Sequence, residues 1–264
     1  MSAAAAPRAM PAPAPAPRVS PLTWLTVFSR LLAIQGSWNY ETLIGNGIGF
    51  CVEPVLRSLP GGVHGHAFKT AMARESTYFN AHPYLASVAV GALARAELSG
   101  VPPERIERFR TALCGPLGSV GDQLVWAGWL PFCSLLALIG FGLGARPLVV
   151  ILGFLVLYNA GHLALRVWGL HVGWTRGLGV AAALGNPVLR RGPAHVARAA
   201  AAAAGIAIPL TAGRVVNGGS ALLGLVLAAA AVTAVLLVRL HGRVEGWKLS
   251  LVLIALFALI SVAR

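Results

Sequence analysis

Charge is what this chain has least of. Charged residues make up 11% of its 264 residues, against roughly a quarter of an average soluble domain, and the mean hydropathy is +0.74. That balance excludes an ordinary soluble globular domain. Acids are scarcest, with eight Asp and Glu against 21 Lys and Arg, and Asp122 is the single aspartate. Paired catalytic carboxylates would have to join Asp122 to Glu41 or Glu53 from distant parts of the chain, and nothing around Asp122 resembles a nucleophile elbow. No catalytic residue is assigned, and the chain is expected not to be an enzyme. Cysteine is nearly absent too: Cys51, Cys114 and Cys133 form no CxxC pair and leave an odd count, which excludes a disulfide framework and a zinc site and leaves small buried hydrophobes. His64 and His66 lack further ligands, so no metal is expected. No cofactor is expected either, since Gly45, Gly47 and Gly49 meet Phe50 where a dinucleotide loop needs its third glycine. The net charge of +13 does not mark a nucleic-acid binder. The arginines sit singly or in pairs between apolar runs and form no basic face with interleaved aromatics.

What the chain has is hydrocarbon. Residues 1–21 alternate Ala and Pro, favour polyproline II and lack the apolar core of a signal peptide, which reads as a disordered cytoplasmic tail. Residues 22–112 form an N-terminal helical half, amphipathic or re-entrant. It opens with Leu22, Leu25, Phe28, Leu31 and Leu32 near helical spacing and closes with a charged helix begun by Pro103 and Glu104. Residues 113–264 form a transmembrane helical region with five apolar spans, at 117–141, 147–165, 194–211, 221–238 and 247–262. The loop after the second span carries Arg166, Arg176, Arg190 and Arg191, and the loop after the fourth carries Arg239 and Arg243. The opposite loops hold only Arg146 and Arg214. Arginine-rich loops face the cytoplasm, so the N-terminus lies inside and the C-terminus outside a cell (inner) membrane. The fold class is therefore all-α, a polytopic helical membrane protein.

Three polar blocks interrupt this hydrocarbon. Gly36-Ser37-Trp38-Asn39-Tyr40-Glu41 is the first, and Tyr78-Phe79-Asn80-Ala81-His82-Pro83-Tyr84 is the second. The third, Gly115-Pro116-Leu117-Gly118-Ser119-Val120-Gly121-Asp122, opens the first span, with Gln123 directly after it. A carboxylate inside hydrocarbon costs about 2.5–3.5 kcal/mol and so faces a bundle interior or a wet cavity. The glycines and Pro116 before Asp122 suggest a broken or re-entrant start to that span. Amides, carboxylates and an imidazole beside an indole are what a sugar needs, because hydroxyls take bidentate partners and the ring face stacks on an aromatic. The candidate substrate-binding residues are Trp38, Asn39, Glu41, Asn80, His82, Asp122 and Gln123. Plainer uses compete: Trp38 and Tyr40 suit interface anchoring, and Asn39, Glu41 and Asn80 suit helix caps. Gly45 and Gly49, and the ladder Gly169, Gly173 and Gly177, have the spacing of close helix packing.

The three blocks together resemble the IID membrane subunit of the mannose/fructose/sorbose-type phosphotransferase system. The resemblance covers the chain from about Leu22 onward, with Gly169 to Gly177 as a weaker fourth block. It implies a permease subunit that pairs obligately with a IIC membrane subunit, such pairs assembling as a trimer, and that moves a mannose-class hexose which IIB, fed by IIA, phosphorylates. It also implies that this chain performs no bond-making chemistry. Thr42-Leu43-Ile44 stand where the family continues with Arg-Met-Gln, and Gln123 stands where it has Pro or Ser. A non-transporting scaffold or regulatory subunit derived from that family is the alternative these departures leave open.

Overall fold

The computed structural model describes residues 17–180, 187–216 and 232. Within them the chain is built from helices, with two isolated β-bridges and no strand. α1 (Pro21–Leu32) begins where Ser20 accepts from the Thr23 N–H at 3.1 Å and a proline occupies the first turn, the two features that favour a helix start. α2 (Gly45–Leu56), α3 (His66–Glu75) and α4 (Ala86–Leu98) follow. α5 (Pro103–Gly121) runs through a π-helical segment, Asp122–Trp129, into α6 (Leu130–Gly142). α7 (Pro147–Arg176) and α8 (Pro187–Val216) complete the described helices.

α4 is the centre of the packing. Every residue from Ala86 to Glu97 is buried, so the helix is covered on all sides by α2, α5 and α7. Its contact with α7 is backbone on backbone. A Cβ on Gly91 would stand 2.4 Å from the Leu170 carbonyl oxygen, and one on Gly173 would stand 2.2 Å from that of Val88. Only glycine permits this approach, which brings main chains within van der Waals reach. Gly169 extends the same face against Ser87.

Among the described residues three rods are long and apolar enough to cross a membrane: Pro103–Gly142, Pro147–Val180 and Arg190–Arg214. They contain the first three expected spans. The spans at 221–238 and 247–262, and residues 1–16 of the tail, lie outside the described residues. Two expectations are corrected. The loop drawn from Arg166 to Arg191 is largely helical, because α7 continues to Arg176 and α8 starts at Pro187. The arginine that ends an apolar window does not end the helix carrying it. The third block is also not a break. Pro116 sits inside α5 and the chain stays helical to Gly142, so the boundary drawn at 112/113 falls within a helix. In hydrocarbon an interrupted helix leaves carbonyls with no water to bond. The irregularity is absorbed further on. Pro131, in the first turn of α6, has no N–H for residue 127 and its ring crowds that carbonyl. The turns just before it widen to π geometry instead.

Candidate functional site

The three blocks, far apart in sequence, meet in the fold. Phe79 donates its N–H to the Thr42 carbonyl at 3.1 Å and accepts that of Ile44 at 3.2 Å, which ties the end of the first block to the second. The second meets the third where the His82 N–H reaches the Leu117 carbonyl at 3.3 Å. A Cβ on Gly121 would stand 2.1 Å from the His82 Cβ, so α5 passes the imidazole only because this position has no side chain.

The meeting sorts the candidate side chains into an outer and an inner set. Trp38 is 45% exposed and stands edge-on to Tyr40 at 4.9 Å. Glu41, Asn80, Asp122 and Gln123 are exposed as well. The Asn39 amide serves its own turn: Nδ2 donates to Thr42 Oγ1 at 2.8 Å, and Oδ1 accepts the N–H groups of Glu41 and Thr42 at 2.9 Å each. Among the glycines, Gly45 and Gly49 let α2 press against Thr77 and Ser76, and Gly177 closes α7 at φ 53°.

His82 alone of the candidates faces inward, at 1% exposure. Its Nδ1 accepts the Tyr84 N–H at 3.2 Å, so the ring proton belongs on Nε2. Burial, with the Arg166 guanidinium adding to it, pushes its pKa down to about 4, and the ring is neutral near pH 7. Around it stand Trp126, 5.0 Å away, and Tyr84, 4.9 Å away. Tyr84 is the hub of the cluster. His162 stacks on its ring at 4.9 Å, the Arg166 guanidinium lies over it at 4.8 Å, and its hydroxyl meets that of Tyr158 at 2.7 Å. Tyr158, His162 and Arg166 are four residues apart and share one face of α7.

Three nitrogens in this cluster are buried without a hydrogen-bond partner: His82 Nε2, His162 Nδ1 and Arg166 Nε. His162 Nε2 lies 2.8 Å from the Asn159 amide oxygen, which makes Nε2 the donor and Nδ1 an acceptor. The set is therefore two N–H donors and one acceptor beside aromatic faces. Buried polar atoms in a native protein normally have partners, so an orphan set asks for one. The other Arg166 nitrogens do not supply it, since Nη1 donates to the carbonyls of Leu31 and Pro83. A neutral, hydroxyl-bearing molecule matches both the donor set and the rings. Metal chemistry has no comparable support: no three His, Cys, Asp or Glu among the described residues are grouped to hold an ion. Burial pushes the Cys51 thiol up to about 12, against the thiolate form a metal ligand needs.

Tyr84, Trp126, Tyr158, His162 and Arg166 were not among the sequence candidates. The signal was an ionisable stripe at four-residue spacing in an apolar helix. Ending the span at residue 165 cut Arg166 from His162 and hid it.

The fold is that of a polytopic α-helical membrane protein, with a polar cluster buried around Tyr84. Residues 19–262 match the family described as the PTS system mannose/fructose/sorbose family IID component, and the chain belongs to that family. It is 30% identical over 171 residues to the mannose-specific EIID component of Escherichia coli K12, covering 62% of this chain and 59% of that protein. The sorbose-specific EIID component of Klebsiella pneumoniae is 30% identical over 182 residues, covering 63% and 61%. The chain thus spans about six-tenths of the length of these relatives. Among solved structures it resembles a chain of the mannose transporter ManYZ in complex with microcin E492, at TM-score 0.55 and 27% identity, covering 71% of this chain and 69% of that one.

Proposed function

We propose that this chain is the IID-type membrane subunit of a mannose-class sugar phosphotransferase permease, acting with a IIC subunit to pass a hexose that IIB phosphorylates. The observation that carries this reading is the backbone joining of the three polar blocks beside a buried cluster at His82 that holds unpaired donors and an acceptor. Family membership and the likeness to a mannose transporter chain support it and favour transport over the scaffold alternative. The chain's own residues then bind and orient sugar and leave phosphoryl transfer to the cytoplasmic components IIA and IIB, in keeping with a non-catalytic subunit.

In this reading His82 contacts sugar from inside. Trp38, Glu41, Asn80, Asp122 and Gln123, exposed in the single chain, become a sugar-facing wall once IIC covers them, and Asn39 holds the turn that presents Trp38. The subunit sits in the cell membrane with its N-terminus inside and its C-terminus outside. Its arginine-rich face meets IIB, and IIC–IID pairs assemble as a trimer. The test is sugar uptake by cells carrying the cognate IIC partner with Asp122→Asn, Asn39→Ala or His82→Ala in this chain. Loss of uptake at normal membrane abundance is expected for each, and unchanged uptake in all three would sink the assignment.

A further inference from the structure

We propose that the groove between α1 and α7 seats one acyl chain of an anionic phospholipid, its phosphate held where Arg18 and Arg176 stand. α1 runs antiparallel along the last turns of α7. At one end Trp24 meets Trp174 edge to face at 4.7 Å, and at the other Arg166 donates to the Leu31 carbonyl. Between these points lies a cleft of about 420 Å³ walled by Trp24, Leu25 and Phe28 of α1 and by Val167, Leu170 and Trp174 of α7. The cleft opens outward, since Leu25 is 63% and Val167 56% exposed. Its one polar lining residue is His171.

Depth and charge select the occupant. The rod containing α7 has 34 residues and is about 50 Å long at 1.5 Å per residue, well beyond the roughly 30 Å of hydrocarbon. Its last turns, with Trp168 and Trp174, therefore reach headgroup level, where indoles concentrate. Arg18 stands just before the Ser20 cap of α1, and Arg176 closes α7, so both belong to the Trp24–Trp174 end. Both are exposed, and neither α1 nor α7 contains an acid to pair with them. An apolar slot ending in two unpaired cations complements an acyl chain ending in a phosphate with net negative charge. A second copy of this chain, or a partner's apolar helix, would fill the slot and leave the cations unanswered.

The test uses the full chain in nanodiscs, with quenching of tryptophan fluorescence by phosphatidylglycerol or phosphatidylcholine brominated on the acyl chain. Phosphatidylglycerol is expected to quench more strongly, and the excess should vanish in Trp24→Phe/Trp174→Phe. Arg18→Gln and Arg176→Gln, both at exposed positions, should each weaken the preference about fivefold, with circular dichroism unchanged. Val167→Phe, which fills the cleft, should remove phosphatidylglycerol adducts in native mass spectrometry. Equal quenching by the two lipids, adducts that survive Val167→Phe, or disulfide cross-linking of two chains through Leu25→Cys would each overturn the proposal.

Discussion

The N-terminal half and the membrane rods balance their cations by different means. In the first, arginines add carboxylates to their carbonyl and ring contacts: Arg30 and Arg57 share Glu53 at 2.7 and 2.6 Å, Arg74 grips Glu97 at 2.8 Å, and Arg110 reaches Glu75, while Arg30 and Arg110 also lie over Phe50 and Phe79. In the second, arginines meet carbonyl dipoles and ring faces. Arg166 bonds the Leu31 and Pro83 carbonyls over Tyr84, and Arg214 bonds the Phe141 carbonyl with its guanidinium 4.5 Å from that ring. The sequence explains the difference, because between Asp122 and Glu245 there is no acid at all. Where carboxylates run out, carbonyls and aromatics serve alone. Such partners leave donors over, and Arg166 Nε is one of the orphans of the candidate site.

Removing one cation from each region breaks the comparison most directly. Arg110→Met strips the partner from the fully buried Glu75 and leaves the Thr77 carbonyl without its donor at 3.0 Å, so above pH 8, where Glu75 is ionised, a loss of about 4 kcal/mol is expected in thermal unfolding of the detergent-solubilised chain. Adding Glu75→Leu should restore most of it. A double variant no better than the single would show that the pair is not a closed unit.

The pH dependence of stability separates the buried groups next. His82 titrates at about 4 when folded against 6.5 when unfolded, so the unfolded state binds more protons between those values and stability falls as pH drops through that window. The total is about 3 kcal/mol, and His82→Gln should flatten this acid limb. Glu75 runs the other way. Burial pushes its carboxyl up to about 8, with Glu97 adding to this and Arg110 opposing it. Its contribution is complete below its unfolded value of 4.5 and is lost as pH rises through about 8, and Glu75→Gln should remove that alkaline limb. A limb unchanged by its own substitution would exclude the assigned group.

Arg166→Met strands only carbonyls and should cost about 2 kcal/mol, roughly half the Arg110 effect, while abolishing uptake. Equal losses in unfolding would erase the distinction between the regions. The smallest effect belongs to Arg57→Gln, which removes an exposed partner from Glu53 while Arg30 remains. No measurable shift in melting temperature is expected.

The helical class and the charged start of α5 were legible because each rests on local chemistry. Which stripe of α1 faces the core was not. The apolar face of that helix is broad, and packing selects Trp24, Val27 and Leu31 while leaving Leu22, Leu25 and Leu32 exposed. Periodicity cannot choose between stripes of equal hydrophobicity. The meeting of the blocks was also hidden, since backbone groups of Thr42, Ile44 and Phe79 make the join and side-chain identity says nothing about them. His82 was found by its neighbours in sequence. Its partners Tyr158, His162 and Arg166 were missed because an arginine lowers the hydropathy of any window that holds it, whatever its helix does.

The unbroken rod from Pro103 to Gly142 has a mechanical meaning. At 40 residues it is about 60 Å long, twice the hydrocarbon thickness of about 30 Å, so roughly half of it stands clear of the bilayer core. Near its middle Gly121 lies bare against the His82 ring, and one turn away the Leu117 carbonyl takes the His82 N–H. The second block is therefore anchored to the rod at its midpoint, with the Arg110–Glu75 pair on one arm and the apolar turns on the other. A side chain at Gly121 would part the two arms' shared support.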